Sequence, residues 1–183
     1  MHMIAIMLQS MFEHLSSLAD HEECLLAGDT LFRIGDPITS LFLVSDGTMR
    51  LVRHQPHGLE LTLQRATQGS ILAEASVFSD RYHCDAIAVS AATLHRIPRE
   101  TLSDAFAGNL DLARSWAHHL AHEVQKARSL AEILSLKTVH ERVDAWLLLK
   151  NESLPQKGAW RAFATEIGVS PEALYRELAK RRH

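Results

Sequence analysis

Long apolar runs are missing from this sequence. No stretch of eighteen residues is continuously hydrophobic, so no membrane-spanning helix is expected. Cysteine is nearly absent: Cys24 and Cys84 are the only two in 183 residues. That excludes a disulfide framework and suits a reducing, cytoplasmic setting. The apolar start, Met1 to Leu8, has no basic region and no small-residue cleavage signature, and Glu13 and His14 soon follow, so a secretory leader is not expected. Positive charge is not in surplus either. The formal net charge is −3, which argues against indiscriminate binding to nucleic acid. The charge is uneven, however. From Gln156 to His183 six bases (Lys157, Arg161, Arg176, Lys180, Arg181, Arg182) face three acids (Glu166, Glu172, Glu177), so phosphate contact is expected at the C-terminal end.

What is present is an ordinary globular composition, 46% hydrophobic and 22% charged. From about Cys24 to Ile97 the chain reads as all-β. Gly28, Gly35, Gly47, Gly58 and Gly69 beat out turns. Between them lie short stretches rich in β-branched, leucine and aromatic residues: 30–33, 40–44, 48–53 and 59–63. Strands at this spacing predict a sandwich, roll or barrel. After Pro98 the pattern changes. Residues 99–107 predict a short helix. Residues 110–136 hold neither Gly nor Pro and predict a long one. On it Ala113, Ala117, Leu120, Val124, Ala127, Ala131 and Leu134 recur at alternating spacings of four and three, a heptad seam that predicts pairing with a second copy, the bland alternative being a helix packed on its own domain. His118 and His122, four apart on this helix, read as a solvated face, and His54 to His57 as a hairpin turn. A further helix over 138–150 and two short ones over 159–167 and 171–182 complete the expected elements.

The last two helices form a specific pattern. Ala164 is small where helices must cross. Gly168 suits a left-handed helix end, and Val169 packs into the corner. Ser170 is an N-cap, and Pro171 at the first helical position loses no needed hydrogen bond. Leu174 and Leu178 then share the buried face, leaving Glu172, Tyr175, Arg176 and Lys180 outward. Such a helix places its N-terminal outward residues against base edges in the major groove. Arg176 can pair bidentately with guanine, and Glu172 can accept from a cytosine amine. Lys180, Arg181 and Arg182 suit phosphates. The bland alternative is a helical hairpin with a solvated face.

From about Leu15 to its end the chain resembles the CRP/FNR family of bacterial transcription regulators. The resemblance rests on Thr30 to Asp36, the Asp46-Gly47 turn before an alternating strand, Ala73 to Phe78 after Gly69, the long helix and the helix-turn-helix. It implies an α+β fold: an N-terminal double-stranded, jelly-roll-like β-roll sensor (1–109), a dimerisation helix (110–136) and a helix-turn-helix DNA-binding domain (137–183). It also implies operator DNA, a second copy of the chain and RNA polymerase as partners, no membrane, and Ser170, Glu172, Tyr175, Arg176 and Lys180 as DNA-contacting residues. The family's β-hairpin wing has no counterpart after the second helix, so weaker DNA affinity is expected.

The resemblance puts the effector pocket at Glu74, Cys84 and Asp85. Members that bind cyclic AMP carry an arginine and a serine at the positions of Cys84 and Asp85. A carboxylate there repels a phosphate, so cyclic AMP is not expected. Three readings of the cysteines follow. Cys84, Cys24 and His83, with His54, Asp85 or Met49 as weaker partners, can bind a soft metal, Cu(I) above others or Zn, with the methionine-rich N-terminus as a further source of thioethers. Cys24 and Cys84 can instead act as a redox pair. Or Cys84 is a small buried hydrophobe. An iron–sulfur cluster is not expected, because it needs about four cysteines, and no motif marks a haem ligand among the 12 histidines. Two alternatives from other classes are a cupin-like metal enzyme, which lacks its His-x-His here, and a dimeric adaptor without DNA binding.

Overall fold

The computed structural model describes residues 2–150 and 153–181. The chain falls into two compact units, 1–120 and 121–183, and the division lies inside one long helix.

The first unit opens with helix α1 (His2–Ser17) and continues through eight strands: β1 (His21–Leu25), β2 (Thr30–Phe32), β3 (Ser40–Asp46), β4 (Thr48–His54), β5 (Glu60–Thr67), β6 (Ile71–Leu72), β7 (Asp85–Ala88) and β8 (Ala92–Pro98). They form two antiparallel four-stranded sheets, ordered β1-β8-β3-β6 and β2-β7-β4-β5. The chain changes sheet between β3 and β4 at Gly47, whose φ is +83°. A Cβ there would run into the backbone of Ala91 and Ala92, so both the conformation and the space require glycine.

Between the sheets Phe32, Phe42, Val44, Met49, Leu51, Tyr82, Cys84 and Leu94 form one core. Phe32 and Tyr82 stack with ring centroids 3.6 Å apart, and the Tyr82 hydroxyl donates to the Ser40 carbonyl at 2.9 Å. Burial pushes Tyr82 up to about 12, so the phenol stays neutral. The other face of the first sheet is covered by α1, by helix α2 (Arg99–Gly108) and by the first turns of helix α3 (Leu110–Ser135). Here Met11, Leu15, Leu102, Leu112 and Trp116 pack on Leu41, Leu43, Ile71 and Ile97. Strand β3 is thus buried on both faces and reads as a continuous apolar run rather than an alternating one. Each fully buried leucine here contributes about 1.5–3 kcal/mol relative to exposure.

Two corrections belong to this unit. The apolar start, read for a leader and as a source of thioethers but not as a helix, forms α1. Cys24, which stands ahead of the first strand-like stretch at 30–33, lies within a strand of its own, β1.

The second unit takes the rest of α3 and adds α4 (Val139–Lys150), α5 (Trp160–Glu166) and α6 (Pro171–Lys180). A reciprocal capping box starts α4. Thr138 donates from its backbone and hydroxyl to the Glu141 carboxylate at 2.9 and 2.8 Å, and the Glu141 amide donates back to Thr138 Oγ1 at 3.2 Å. Ile133, Val143, Trp146, Phe163, Ala164, Ile167, Leu174 and Leu178 form the core.

Helix α3 divides its faces. Leu112 and Trp116 are buried in the first unit, and Ile133 in the second. Of the heptad stripe, Ala113 and Leu120 are half-buried, while Ala117, Val124, Ala127, Ala131 and Leu134 are exposed. Val124 and Leu134 keep 48% and 41% of their surface open, so among the described residues this part of the stripe is largely uncovered.

Candidate nucleic-acid interface and effector site

The turn between α5 and α6 is built by short-range chemistry. Gly168, at φ +65°, ends α5, and its amide donates to Thr165 O. The Val169 amide donates to Ala164 O at 2.9 Å. Ser170 caps α6, its Oγ accepting from the Ala173 amide at 3.2 Å, and Pro171 occupies the first turn. Leu174 and Leu178 are buried, while Glu172, Tyr175, Arg176 and Lys180 are exposed. The N-terminal end of α6 therefore presents an acid, an aromatic and an arginine to solvent. Its own backbone amide, then the Ser170 hydroxyl, holds the Glu172 carboxyl below its ordinary value, with Arg161 and Arg176 adding to the effect. Tyr175 leans on Trp160 at 5.5 Å, and Trp160 Nε1 donates to the Pro155 carbonyl at 2.8 Å, tying down the loop before α5.

Arg181 does not join this face. Its Nε donates to Glu177 Oε1 at 2.9 Å, Nη1 to Asp144 Oδ1 at 2.5 Å and Nη2 to the His140 carbonyl at 3.0 Å. His140 Nδ1 lies 2.7 Å from Glu177 Oε1, and its Nε2 lies 3.2 Å from Asp144 Oδ2. Arg181 thus ties α6 to α4 rather than reaching for phosphate. The side chain that does the tying is set by which face α4 covers, which the basic run in the sequence does not reveal. Arg182 and His183, and the side chains of Met1, Met3 and Met7, lie outside the described residues.

In the roll, the register of β4 with β7 decides which residues face inward. Leu51 pairs with Ala86 and Met49 with Ala88, and all four belong to the inter-sheet core. Val52 pairs with Asp85, so Asp85 points to the outer face. There it accepts from the Ile34 amide at 2.6 Å and lies 3.4 Å from His54 Nδ1. His54 Nε2 lies 3.5 Å from Glu60, which also pairs with Arg50 at 2.6 Å. The carboxylate expected to repel a phosphate is therefore not in the interior. Cys84 is, at 5% exposure, while its neighbour His83 is exposed on the other side. Burial pushes the Cys84 thiol up, opposed by the Arg53 guanidinium and reinforced by the Asp85 and Glu74 carboxylates. Arg53 continues the inward parity of Met49 and Leu51, and its Nε donates to the His83 carbonyl at 3.1 Å. It is the cation that the sequence did not disclose. Glu74 opens a short 3-10 turn after the left-handed Ala73, with Gln64 Nε2 3.5 Å from its carboxylate.

The metal-ligand set is not brought together. Cys24 is exposed on β1 in the first sheet, Cys84 is buried beside the second, and His83 and His54 face away from Cys84. Met49 is fully buried in the core. Among the described residues no group of three or more His, Cys, Asp or Glu is placed to hold a metal ion. Both cysteines are free; Cys24 lies on β1 of the first sheet, and Cys84 just precedes β7 of the second.

Residues 22–109 match the family described as the cyclic nucleotide-binding domain. Over 146 residues, 80% of the chain, the sequence is 23% identical to the fumarate and nitrate reduction regulatory protein of Escherichia coli (strain K12), and it spans 58% of that relative's length. The protein of the same name from Vibrio cholerae is 22% identical over 150 residues, 82% of this chain and 60% of its own length. Among solved structures, FixK2 from Bradyrhizobium japonicum aligns with a TM-score of 0.67 at 20% identity, covering 87% of this chain and 83% of that one. The c-di-GMP-responsive global regulator CLP of Xanthomonas campestris gives 0.65 at 20% identity, over 95% and 91%. The catabolite activator protein of Thermus thermophilus gives 0.60 at 24% identity, over 93% and 82%. The structural likenesses establish the fold. The relatives are regulatory proteins by name. The described residues contain no helix long and apolar enough to cross a membrane. In sequence and in fold the chain is thus similar to CRP/FNR-type transcription regulators, with a cyclic nucleotide-binding domain over residues 22–109.

Proposed function

We propose that the chain binds operator DNA as a homodimer and regulates transcription, with residues 1–109 as sensor, 110–136 as dimerisation helix and 137–183 as DNA-binding domain. The observation that carries this reading is the outward face of α6: Glu172, Tyr175 and Arg176 stand exposed at the N-terminal end of a helix whose start is fixed by Gly168, Ser170 and Pro171. In the major groove Arg176 reads guanine and Glu172 accepts from cytosine, while Ser170 and Lys180 contact phosphates. The exposed part of the α3 stripe, at Val124 and Leu134, supports the dimer. RNA polymerase is the partner this role requires.

The residues at the phosphate positions do not fit a cyclic nucleotide. Cys84 is a neutral buried thiol, and Asp85 spends an oxygen on the Ile34 amide. Cyclic AMP is therefore not the effector we propose. The Cu(I) reading loses its ligand set among the described residues, and two cysteines fall short of the about four that a cluster needs. Arg53 and Glu74 are near enough to Cys84 for their charges to act on its thiol.

Selection from a random duplex pool tests the function. The expected product is an inverted repeat with half-sites about one helical turn apart, roughly 34–36 Å. A dimeric chain that enriches no duplex would instead be the adaptor.

A further inference from the structure

Helix α4 contributes one arginine whose chemistry the DNA-binding face does not use. Arg142 Nε donates to Leu136 O at 3.0 Å, and Nη2 donates to Leu134 O at 3.0 Å. Its Nη1 donates to Ile167 O at 3.0 Å and to Gly168 O at 2.8 Å. The first two carbonyls end α3. The second two follow α5, at the corner that launches α6. Carbonyls at a helix C-terminus lack intrahelical partners and carry the negative end of the dipole. One planar guanidinium, with five N–H donors in a fixed fork, here serves two such ends at once. A second contact joins the same two places: a Cβ on Gly168 would stand 2.5 Å from Leu134 Cδ2 and 3.2 Å from Arg142 Nη1. Leu134 is also a residue of the exposed apolar stripe.

We propose that Arg142 is a positioning residue that locks the helix-turn-helix corner to the end of the dimerisation helix, and so sets the half-site spacing the dimer accepts. The inference rests on the dimeric DNA-binding reading for its functional consequence. The lock itself does not need DNA. With the corner tied to α3, the separation of the two α6 helices follows from the α3 pair, and an operator with a longer or shorter spacer no longer meets both. Without the tie each corner can turn on its own α4, and spacers of several lengths are met alike.

The experiment uses the full chain as wild type, Arg142→Gln and Arg142→Lys, with two measurements. First, hydrogen exchange is followed over peptides covering 133–137 and 164–170. In the wild type the amides of Leu136, Gly168 and Val169 should open together. In Arg142→Gln the two peptides should exchange at rates that differ by roughly tenfold, while Leu174–Leu178 stays protected. Arg142→Lys, a point charge without the fork, should fall between the two, and it supplies the answer if the glutamine variant does not fold. Second, affinity is measured for the selected operator and for versions with two base pairs added or removed. The wild type should favour its own spacing by roughly tenfold, and the variants should lose most of that preference. A variant that binds every spacing more weakly by one common factor overturns the proposal, because mere destabilisation does that. So does unchanged exchange at both peptides. If the wild type binds no duplex, the DNA-binding reading fails, and the exchange measurement still decides whether Arg142 is the lock.

Discussion

Replacing Gly168 by alanine makes a sharp test of how the corner is built. At φ +65° an L-residue costs about 1–2 kcal/mol. The new methyl would stand 2.5 Å from Leu134 Cδ2, a separation that has to open by more than an ångström. Leu134 is 41% exposed, so it can swing away, at about 0.5–1.5 kcal/mol for an off-rotamer side chain. The expected loss for Gly168→Ala is therefore about 1.5–3.5 kcal/mol. Gly108, within α2, provides the opposite sign. Its φ is not in the left-handed region, and an added Cβ meets nothing within 4 Å, so Gly108→Ala should stabilise by about 0.4–1 kcal/mol. Urea unfolding followed by tryptophan emission measures both, with Trp146 and Trp160 in the second unit and Trp116 in the first. A neutral or stabilising Gly168→Ala, or a Gly108→Ala as damaging as it, would refute the reasoning.

Alkylation of the native chain should label the exposed Cys24 and spare the buried Cys84 until the roll unfolds, and equal labelling would contradict the core placement. Because burial raises the Cys84 thiol above its ordinary 9.0, the stability it contributes is present below that value and lost as pH rises past it. Asp144 is held low by Arg181, and Glu177 by His140 and Arg181. Their contribution is therefore present above the ordinary carboxylate range and lost as pH falls through it. Melting curves of the wild type should show the second unit weakening with acid, and Glu177→Gln should flatten that dependence. Val124→Glu puts a charge on the exposed stripe of α3 and should turn a sedimenting dimer into a monomer without loss of helix content; a persistent dimer would remove α3 from the interface.

The parts of the fold legible beforehand were those with local causes. The helix over 110–135 follows from the absence of Gly and Pro. The corner at 168–171 follows from a left-handed glycine, a cap and a proline within four positions. Strand β7, Asp-Ala-Ile-Ala, escaped because alanine has little strand preference. Helix α1 escaped because its apolar residues carry no flanking periodic charge to show which face is buried. The effector site was less legible still. Cys84 and Asp85 are neighbours in sequence, and only the register of β4 against β7 says which one faces in. Arg53, Arg142 and Arg181 look like surface charge in a linear reading. Each has an acceptor far along the chain, 30, 25 and 37 positions away, and that pairing comes from packing. The assignment of Arg181 to phosphate failed for that reason.

The central claim is that α6 reads base sequence. Its most direct test is the affinity of wild type, Arg176→Ala and Lys180→Ala for a selected operator, with one guanine substituted in each half-site, across a range of salt. The account predicts that Arg176→Ala loses about 1–3 kcal/mol per half-site and no longer distinguishes the substituted operator. Lys180→Ala should weaken both duplexes alike and lower the salt slope by about 1 per protomer. An Arg176→Ala chain that still discriminates the two duplexes as wild type does would contradict it.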